Sequence, residues 1–310
     1  MDNRKPTLFS FSKEFVKNHY RIGYQKKNWL QKKYNRDYIF IDLEKYYFDL
    51  RNQIEQLLIH KNFIRKILPL EELHECLPSE FKSYGNDGIS KIGTFFYETN
   101  DKFKMILHEF IYKILYKKVI QQPFLFQKTP TFRIHCPHSS NSEFFPHYHT
   151  DLALGHPTNE INLWIPLTEQ RNGHGFYLAN VENSNKIASY IKYDIPSLMD
   201  DAVFRDKDYL AFCEPQLFEI KVEKGQGLMF DGRCFHTAMP INDHTRISID
   251  FRIIMQKDFF KADIIYENKG IRRQLLLLPN HYYNSLSSAD LGTTLNTEST
   301  YNNEDYILKT

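Results

Sequence analysis

The sequence predicts an α+β protein in which helices of the first third buttress a β-sandwich or barrel built from the rest. Two patterns lead there. Up to about residue 120 apolar residues recur at helical spacing, and from about Thr131 they alternate in short runs separated by Gly, Pro and Asn. Helices first and strands afterwards is the order expected of such layers. The 310 residues suffice for one large domain with appendages. A hydrophobic share of 42% beside 25% charged residues excludes wholesale disorder.

Residues 13–36 interleave lysines and arginines with Phe15, Tyr20, Tyr24 and Trp29. They read as a helical face in water with its apolar stripe turned inward, a patch for an anionic partner being the alternative. Asp49–Leu68 and Asp101–Ile120 read as amphipathic helices; Phe103, Ile106, Leu107, Phe110 and Ile114 mark the second, with Thr99 or Asn100 to cap it. Strands are predicted at Thr131–His135, Glu160–Thr168, Phe218–Val222, Gly227–Phe230 and Thr245–Ile254. The expected organisation is a mainly helical part over 1–125, a β core over 126–260 with an insertion at 183–215, and a C-terminal helix and loose Ser/Thr/Asn-rich tail over 261–310. The insertion carries Tyr190, Tyr193, Phe204, Tyr209 and Phe212, and with parts of 70–100 is expected to cover a pocket as a lid.

Lys and Arg number 40 against 38 Asp and Glu, a net charge of +2, which argues against a strongly basic nucleic-acid binder. The apolar stretches are too short to cross a bilayer, and the first residues lack the apolar core of a secretory signal. Cys76, Cys136, Cys213 and Cys234 are scattered without CxxC spacing, as in a reducing compartment; the cytoplasm is the expected location.

Chemistry is concentrated in two places. The first is Phe145-Pro146-His147-Tyr148-His149-Thr150-Asp151, an H-x-D; on a strand, residues two apart share a face, so His149 and Asp151 can reach one ion. The second is the apolar run Met229–Asp231 leading to His236, followed by a strand from Thr245 to Arg252. In that strand Ile247, Ile249 and Phe251 face one way while Arg246, Ser248, Asp250 and Arg252 face the other. A polar face carrying an R-x-S pair is either solvated or lines a pocket holding an anion, because buried charge needs a partner. Two histidines and a carboxylate leave three positions of an octahedral Fe(II) open. Arginine forks onto a carboxylate, and a serine two residues on can donate to the same group.

On His149-Thr150-Asp151, Glu160–Thr168, Gly225–Asp231, His236 and Arg246–Arg252 the sequence resembles the Fe(II)/2-oxoglutarate-dependent dioxygenases, in particular the phytanoyl-CoA dioxygenase-like branch and oxygenases of the streptomycin-biosynthesis type. The resemblance covers roughly Thr131–Met255. It implies a double-stranded β-helix (jelly-roll, cupin-like) core with iron held by His149, Asp151 and His236. It also implies 2-oxoglutarate anchored by Arg246 with Ser248 assisting. Such enzymes take O2, release succinate and CO2, and most often hydroxylate a small molecule, although desaturation, cyclisation and epimerisation start alike. Retention of Asp151 argues against halogenation, for which the family replaces that ligand by a small residue.

Further candidates follow from strand alternation. Asn162 is expected to face 2-oxoglutarate or a metal-bound water, and Trp164 to wall the substrate pocket; a structural role for both is the alternative. Arg133 and His135 are expected to point inward, Arg133 towards an anionic group of the substrate or else into a salt bridge with Asp250 or Glu160. His147 competes with His149 as ligand and otherwise sits at the pocket rim. Arg252 and Asp250 are expected to pair with one another or nearby strands, further from the iron. His138, His156 and His174 read as surface or loop residues, and Cys234 as a small buried one.

The function expected is oxidation of an amino-acid or natural-product intermediate. Two alternatives stand beside it: a zinc or manganese lyase or epimerase with the same ligands and no use for Arg246, and a metabolite-binding barrel without turnover. Neither nucleic acid nor membrane is an expected partner, and the oligomeric state is not indicated.

Overall fold

The structure is a computed structural model that describes residues 12–77, 101–137, 148–170, 175–238, 243–259 and 282–286. It is a mixed fold of helices and antiparallel sheet. Seven strands form the larger sheet: β1 (Tyr38–Asp42), β2 (Phe124–Gln127), β3 (Thr131–His135), β4 (Ile161–Pro166), β7 (Gln226–Asp231), β9 (Arg246–Met255) and β10 (Tyr283–Ser285). Their order is β1-β7-β4-β9-β2-β10, with β3 also paired to β9. The smaller sheet runs β6 (Phe218–Ile220), β5 (Phe176–Leu178), β8 (His236–Ala238).

β9 organises the larger sheet. Its partners alternate in register: Ile249 stands opposite Phe132 and Ile165, Phe251 opposite Leu163, while Arg252 stands opposite Asn162 and Ser248 opposite Arg133. Ile247, Ile249, Phe251 and Ile253 join Ile161, Leu163 and Ile165 in the main core. That core is closed by α3 (Lys45–His60), through Tyr46, Leu50 and Ile54, and by α4 (Asp101–Phe110) with its continuation as a π-helix through Ile111–Ile120. Each such side chain removed from water contributes about 1.5–3 kcal/mol. The other face meets the smaller sheet: Trp164, Leu228 and Phe230 form a second core with Phe176, Leu178 and Phe235.

Several expectations are refined. The first predicted helix extends over Lys45–His60 rather than Asp49–Leu68, because Asn62 turns left-handed (φ 60°) and Phe63 N donates to Leu58 O at 2.9 Å, ending it. Residues 13–36 divide into α1 (Lys13–Gln25), burying Val16, Tyr20 and Tyr24, and α2 (Trp29–Tyr34), with Arg21, Lys26, Lys27, Lys32 and Lys33 in water. A strand also lies within the helical third: β1 pairs with β7 from Tyr38↔Phe230 to Asp42↔Gln226. Its residues Tyr38–Ile41 are apolar in succession, so no alternation marks them as a strand. The predicted cap at Thr99 or Asn100, the lid segment within 78–100, the C-terminal helix within 260–281 and the tail from 287 lie outside the described residues.

Candidate metal centre

His149 and His236 are joined by backbone before they are joined by chemistry. An isolated antiparallel bridge links them, His236 N donating to His149 O at 2.8 Å and His149 N to His236 O at 3.2 Å. Their rings stand 4.4 Å apart between centroids. Asp151 does not continue a strand, as the shared-face argument expected. Thr150 is extended (φ −124°, ψ 149°) and caps a single 3₁₀ turn, Asp151–Leu154, its hydroxyl donating to Gly232 O at 2.9 Å. The turn swings the carboxylate back, and one ligand atom from each of His149, Asp151 and His236 lies within 4.8 Å of the others. Gly232 permits the approach: a Cβ there would stand 2.9 Å from Glu160 O.

Four hydroxyls from helices outside the larger sheet hold the ligand-bearing segments. Tyr20 of α1 donates to Leu152 O at 3.1 Å, next to Asp151, and Tyr24 to Arg233 O at 2.9 Å, ahead of His236. Two more come from the insertion. Phe235 N donates to Ser184 of α5 (Val181–Tyr190) at 2.9 Å, and Tyr209 of α6 (Lys207–Cys213) donates to Tyr148 O at 2.6 Å. The insertion therefore buttresses the centre. Tyr190 stacks on Phe212 at 4.3 Å and Tyr193 leans on Tyr24 at 6.4 Å, so these aromatics are taken up by local packing; the side chain of Phe204 is outside the described set. Arg233 completes the frame, forking onto Asp231 and donating to Gly23 O and Gln31. None of these contacts has a periodic signal in sequence.

Protonation favours ligation. Burial pushes the Asp151 carboxyl up, but Arg252 foremost, then His156, His236 and His149, hold it well below the usual carboxylate range. Burial lowers His236 against the pull of Asp151 and of Cys234 O, which accepts from Nδ1 at 3.0 Å. The site thus combines an ionised carboxylate with a neutral imidazole, the forms that bind a metal. Nδ1 being engaged, Nε2 of His236 is left for an ion.

Arg246, Ser248, Asp250 and Arg252 of β9, Arg133 and His135 of β3, and Asn162 and Trp164 of β4 occupy the face of the larger sheet opposite its apolar core. Arg246 is buried, opposite His135, and Ser248 is buried beside Arg133. Burial, then Arg246 and Arg133, push His135 well below its ordinary value, keeping it neutral. Asn162 is buried with its Oδ1 lacking a hydrogen-bond partner. Trp164 stacks on Phe176 at 5.0 Å, and Phe176 in turn stacks on His236 at 5.5 Å, so Trp164 belongs to the aromatic wall behind the ligand.

Arg133 donates through Nε to Asp250 at 2.8 Å, the salt bridge weighed beside a substrate contact. Two expectations are corrected. Arg252 is not remote: Nε and Nη2 both reach Asp151 Oδ2 at 2.8 Å while Nη1 engages Asp250. The strand alternation placed it on this face, but nothing in sequence places Asp151 opposite it. His156 lies in a loop but is buried rather than superficial, 2.7 Å from the Glu160 carboxylate and edge-on to Tyr282, with Tyr283 donating to the same Glu160. Cys234 is buried, as expected of a small residue. His138, His147 and His174 lie outside the described residues.

No family model matches the chain. The streptomycin biosynthesis protein StrG of Streptomyces griseus is 22% identical over 170 residues, 54% of this chain, and the match spans 64% of that protein's length. Among solved structures, AviO1 from Streptomyces viridochromogenes Tue57 aligns with 80% of this chain and 97% of its own, at 14% identity and a TM-score of 0.42. The non-heme alpha ketoglutarate dependent epimerase SnoN from nogalamycin biosynthesis aligns over 78% and 82% at 11% identity and a TM-score of 0.39. HygX from Streptomyces hygroscopicus, solved with nickel and 2-oxoglutarate bound, aligns over 71% and 83% at 13% identity and a TM-score of 0.38. Among the described residues no helix is long and apolar enough to cross a membrane.

Proposed function

We propose that this chain is an Fe(II)- and 2-oxoglutarate-dependent oxygenase that hydroxylates a small natural-product or amino-acid intermediate. The observation that carries the reading is the convergence of His149, Asp151 and His236 from two separate segments onto one point. Two imidazoles and a carboxylate suit Fe(II) with open positions. The two sheets then correspond to the halves of a double-stranded β-helix, with 126–260 as catalytic core, 1–125 as a mainly helical support that adds β1 to the larger sheet, and 261–310 adding β10.

The polar face fits the co-substrate. Arg246 and Ser248, two residues apart on one face of β9, supply a guanidinium fork and a hydroxyl for the distal carboxylate of 2-oxoglutarate. Asn162, buried with an unpartnered Oδ1, supplies a polar contact in the same face. Bound there, iron and 2-oxoglutarate supply oxidation of a substrate C–H bond by O2, with succinate and CO2 released. The residues hold and orient: Cys234 O fixes the tautomer of His236, and the hydroxyls of Tyr20, Tyr24, Ser184 and Tyr209 hold the backbone on both sides of the ligands. The wall of Trp164, Phe176 and Phe230 keeps water from the His236 side.

The test is succinate release from 2-oxoglutarate by purified protein given Fe(II), ascorbate and O2. Slow uncoupled release that needs iron, and that is lost in Asp151→Ala, is expected. Turnover supported by zinc or manganese alone, and indifferent to Arg246→Ala, contradicts the reading.

A further inference from the structure

Arginine usually meets a carboxylate fork to fork, one nitrogen to each oxygen. Arg252 meets Asp151 otherwise. Nε and Nη2 both fall on Oδ2, each at 2.8 Å. The Nε contact is a hydrogen bond and the Nη2 contact an ion pair at the same oxygen, so the guanidinium charge is set against Oδ2, and Oδ1 is the oxygen to which Arg252 donates nothing.

Arg252 is itself held in place. Nη1 donates to Asp250 Oδ1 and, at 3.3 Å each, to Gln127 Oε1 and Thr131 Oγ1; Asp250 Oδ2 accepts from Arg133 at 2.8 Å. Arg133, Asp250, Arg252 and Asp151 alternate in sign and sum to zero. A buried chain of this kind is a costly way to gain stability, since apolar residues of similar volume often do as well.

We propose that Arg252 is a positioning residue for the metal centre: by occupying Oδ2 it makes Asp151 a one-oxygen ligand and so keeps a position on the ion open. The inference rests on the iron and 2-oxoglutarate reading above. Its content is a count. Three protein atoms and a two-atom chelate fill five positions of an octahedral ion and leave one, whereas a two-oxygen Asp151 would fill that last one.

The test needs no turnover. Wild type, Arg252→Gln, Arg252→Lys and Asp250→Asn are loaded anaerobically with Fe(II) and saturating 2-oxoglutarate. Nitric oxide is titrated in as a probe of the remaining position, read by electron paramagnetic resonance. Arg252→Gln is expected to bind Fe(II) and 2-oxoglutarate yet to take nitric oxide at least about tenfold more weakly, within the range typical of residues behind metal ligands. Arg252→Lys, which retains the charge and can set a donor on Oδ2, is expected to recover most of that loss. Asp250→Asn, which loosens Arg252, is expected to fall between.

Undiminished nitric oxide binding in Arg252→Gln overturns the proposal. Loss of iron binding in that variant does so too, since Arg252 would then hold the ion rather than guard a position. Should Arg252→Gln not fold, Asp250→Asn decides alone, wild-type affinity counting against. A wild type that binds no iron sinks the underlying reading instead, and the two failures are distinct.

Discussion

On one face of β9, Ile247, Ile249, Phe251 and Ile253 sink into a helix-backed core; on the other, Arg246, Ser248, Asp250 and Arg252 share a polar face from which Arg252 reaches Asp151. Both faces are buried. They differ in what burial demands of them. The apolar face needs shape and volume, which many sequences supply. The polar face needs partners, and finds them in pairs that cross from β3 through β9 to the turn at Asp151. Neighbouring residues on one strand should therefore fail in different ways when changed.

The largest expected effect is at Asp250. Asp250→Ala removes the carboxylate that Arg133 and Arg252 share, leaving buried charge uncompensated at a cost of about 3–5 kcal/mol. Urea unfolding measures that loss, and calorimetry should show weaker metal binding beside it. One residue away, Ile249→Ala opens a cavity in the core at about 2–5 kcal/mol. Its metal affinity, measured on folded protein, should stay at the wild-type value. Equal metal defects in both variants would erase the distinction between the faces.

A smaller effect is expected at the frame. Tyr24→Phe deletes the hydrogen bond to Arg233 O and should cost about 0.5–1.5 kcal/mol, with a modest fall in metal affinity. The smallest lies away from the site. The Glu71 carboxyl, pushed up by burial but held below its ordinary value overall by Arg51 and the Glu169 amide, contributes stability present above the unfolded-state value near about 4.3 and lost as pH falls through the lower folded value. Unfolding midpoints followed down through that window should fall less in Glu71→Gln than in wild type.

The same contrast explains what could be read from sequence. Alternation along Thr245–Ile254 separated the faces of β9, and the same period placed Asn162 and Trp164 opposite the helix-backed residues of β4. The three metal-ligating candidates stood out as members of an ordered set with Glu160–Thr168, Gly225–Asp231 and Arg246–Arg252, since an H-x-D by itself is expected by chance in a chain with 13 histidines. What escaped was contact across the fold. Arg252 was assigned the right face and one of its partners, Asp250, but not the other, since Asp151 lies 101 positions away and is turned by a cap at Thr150. The phenols of Tyr20, Tyr24 and Tyr209 were visible as aromatics, yet their hydroxyl partners are backbone carbonyls, and a carbonyl has no residue letter. β1, β2, β5, β8 and β10 were not predicted; in β1 four apolar residues in succession, Tyr38–Ile41, leave no alternation to read.

The central claim is that His149, Asp151 and His236 hold iron while Arg246 anchors 2-oxoglutarate. Anaerobic titration of Fe(II) and then 2-oxoglutarate, followed in the visible range, tests it directly. A weak charge-transfer band in wild type, lost in His149→Ala and weakened in Arg246→Ala, is the result predicted. No band in wild type, with zinc retained in the site instead, would contradict it.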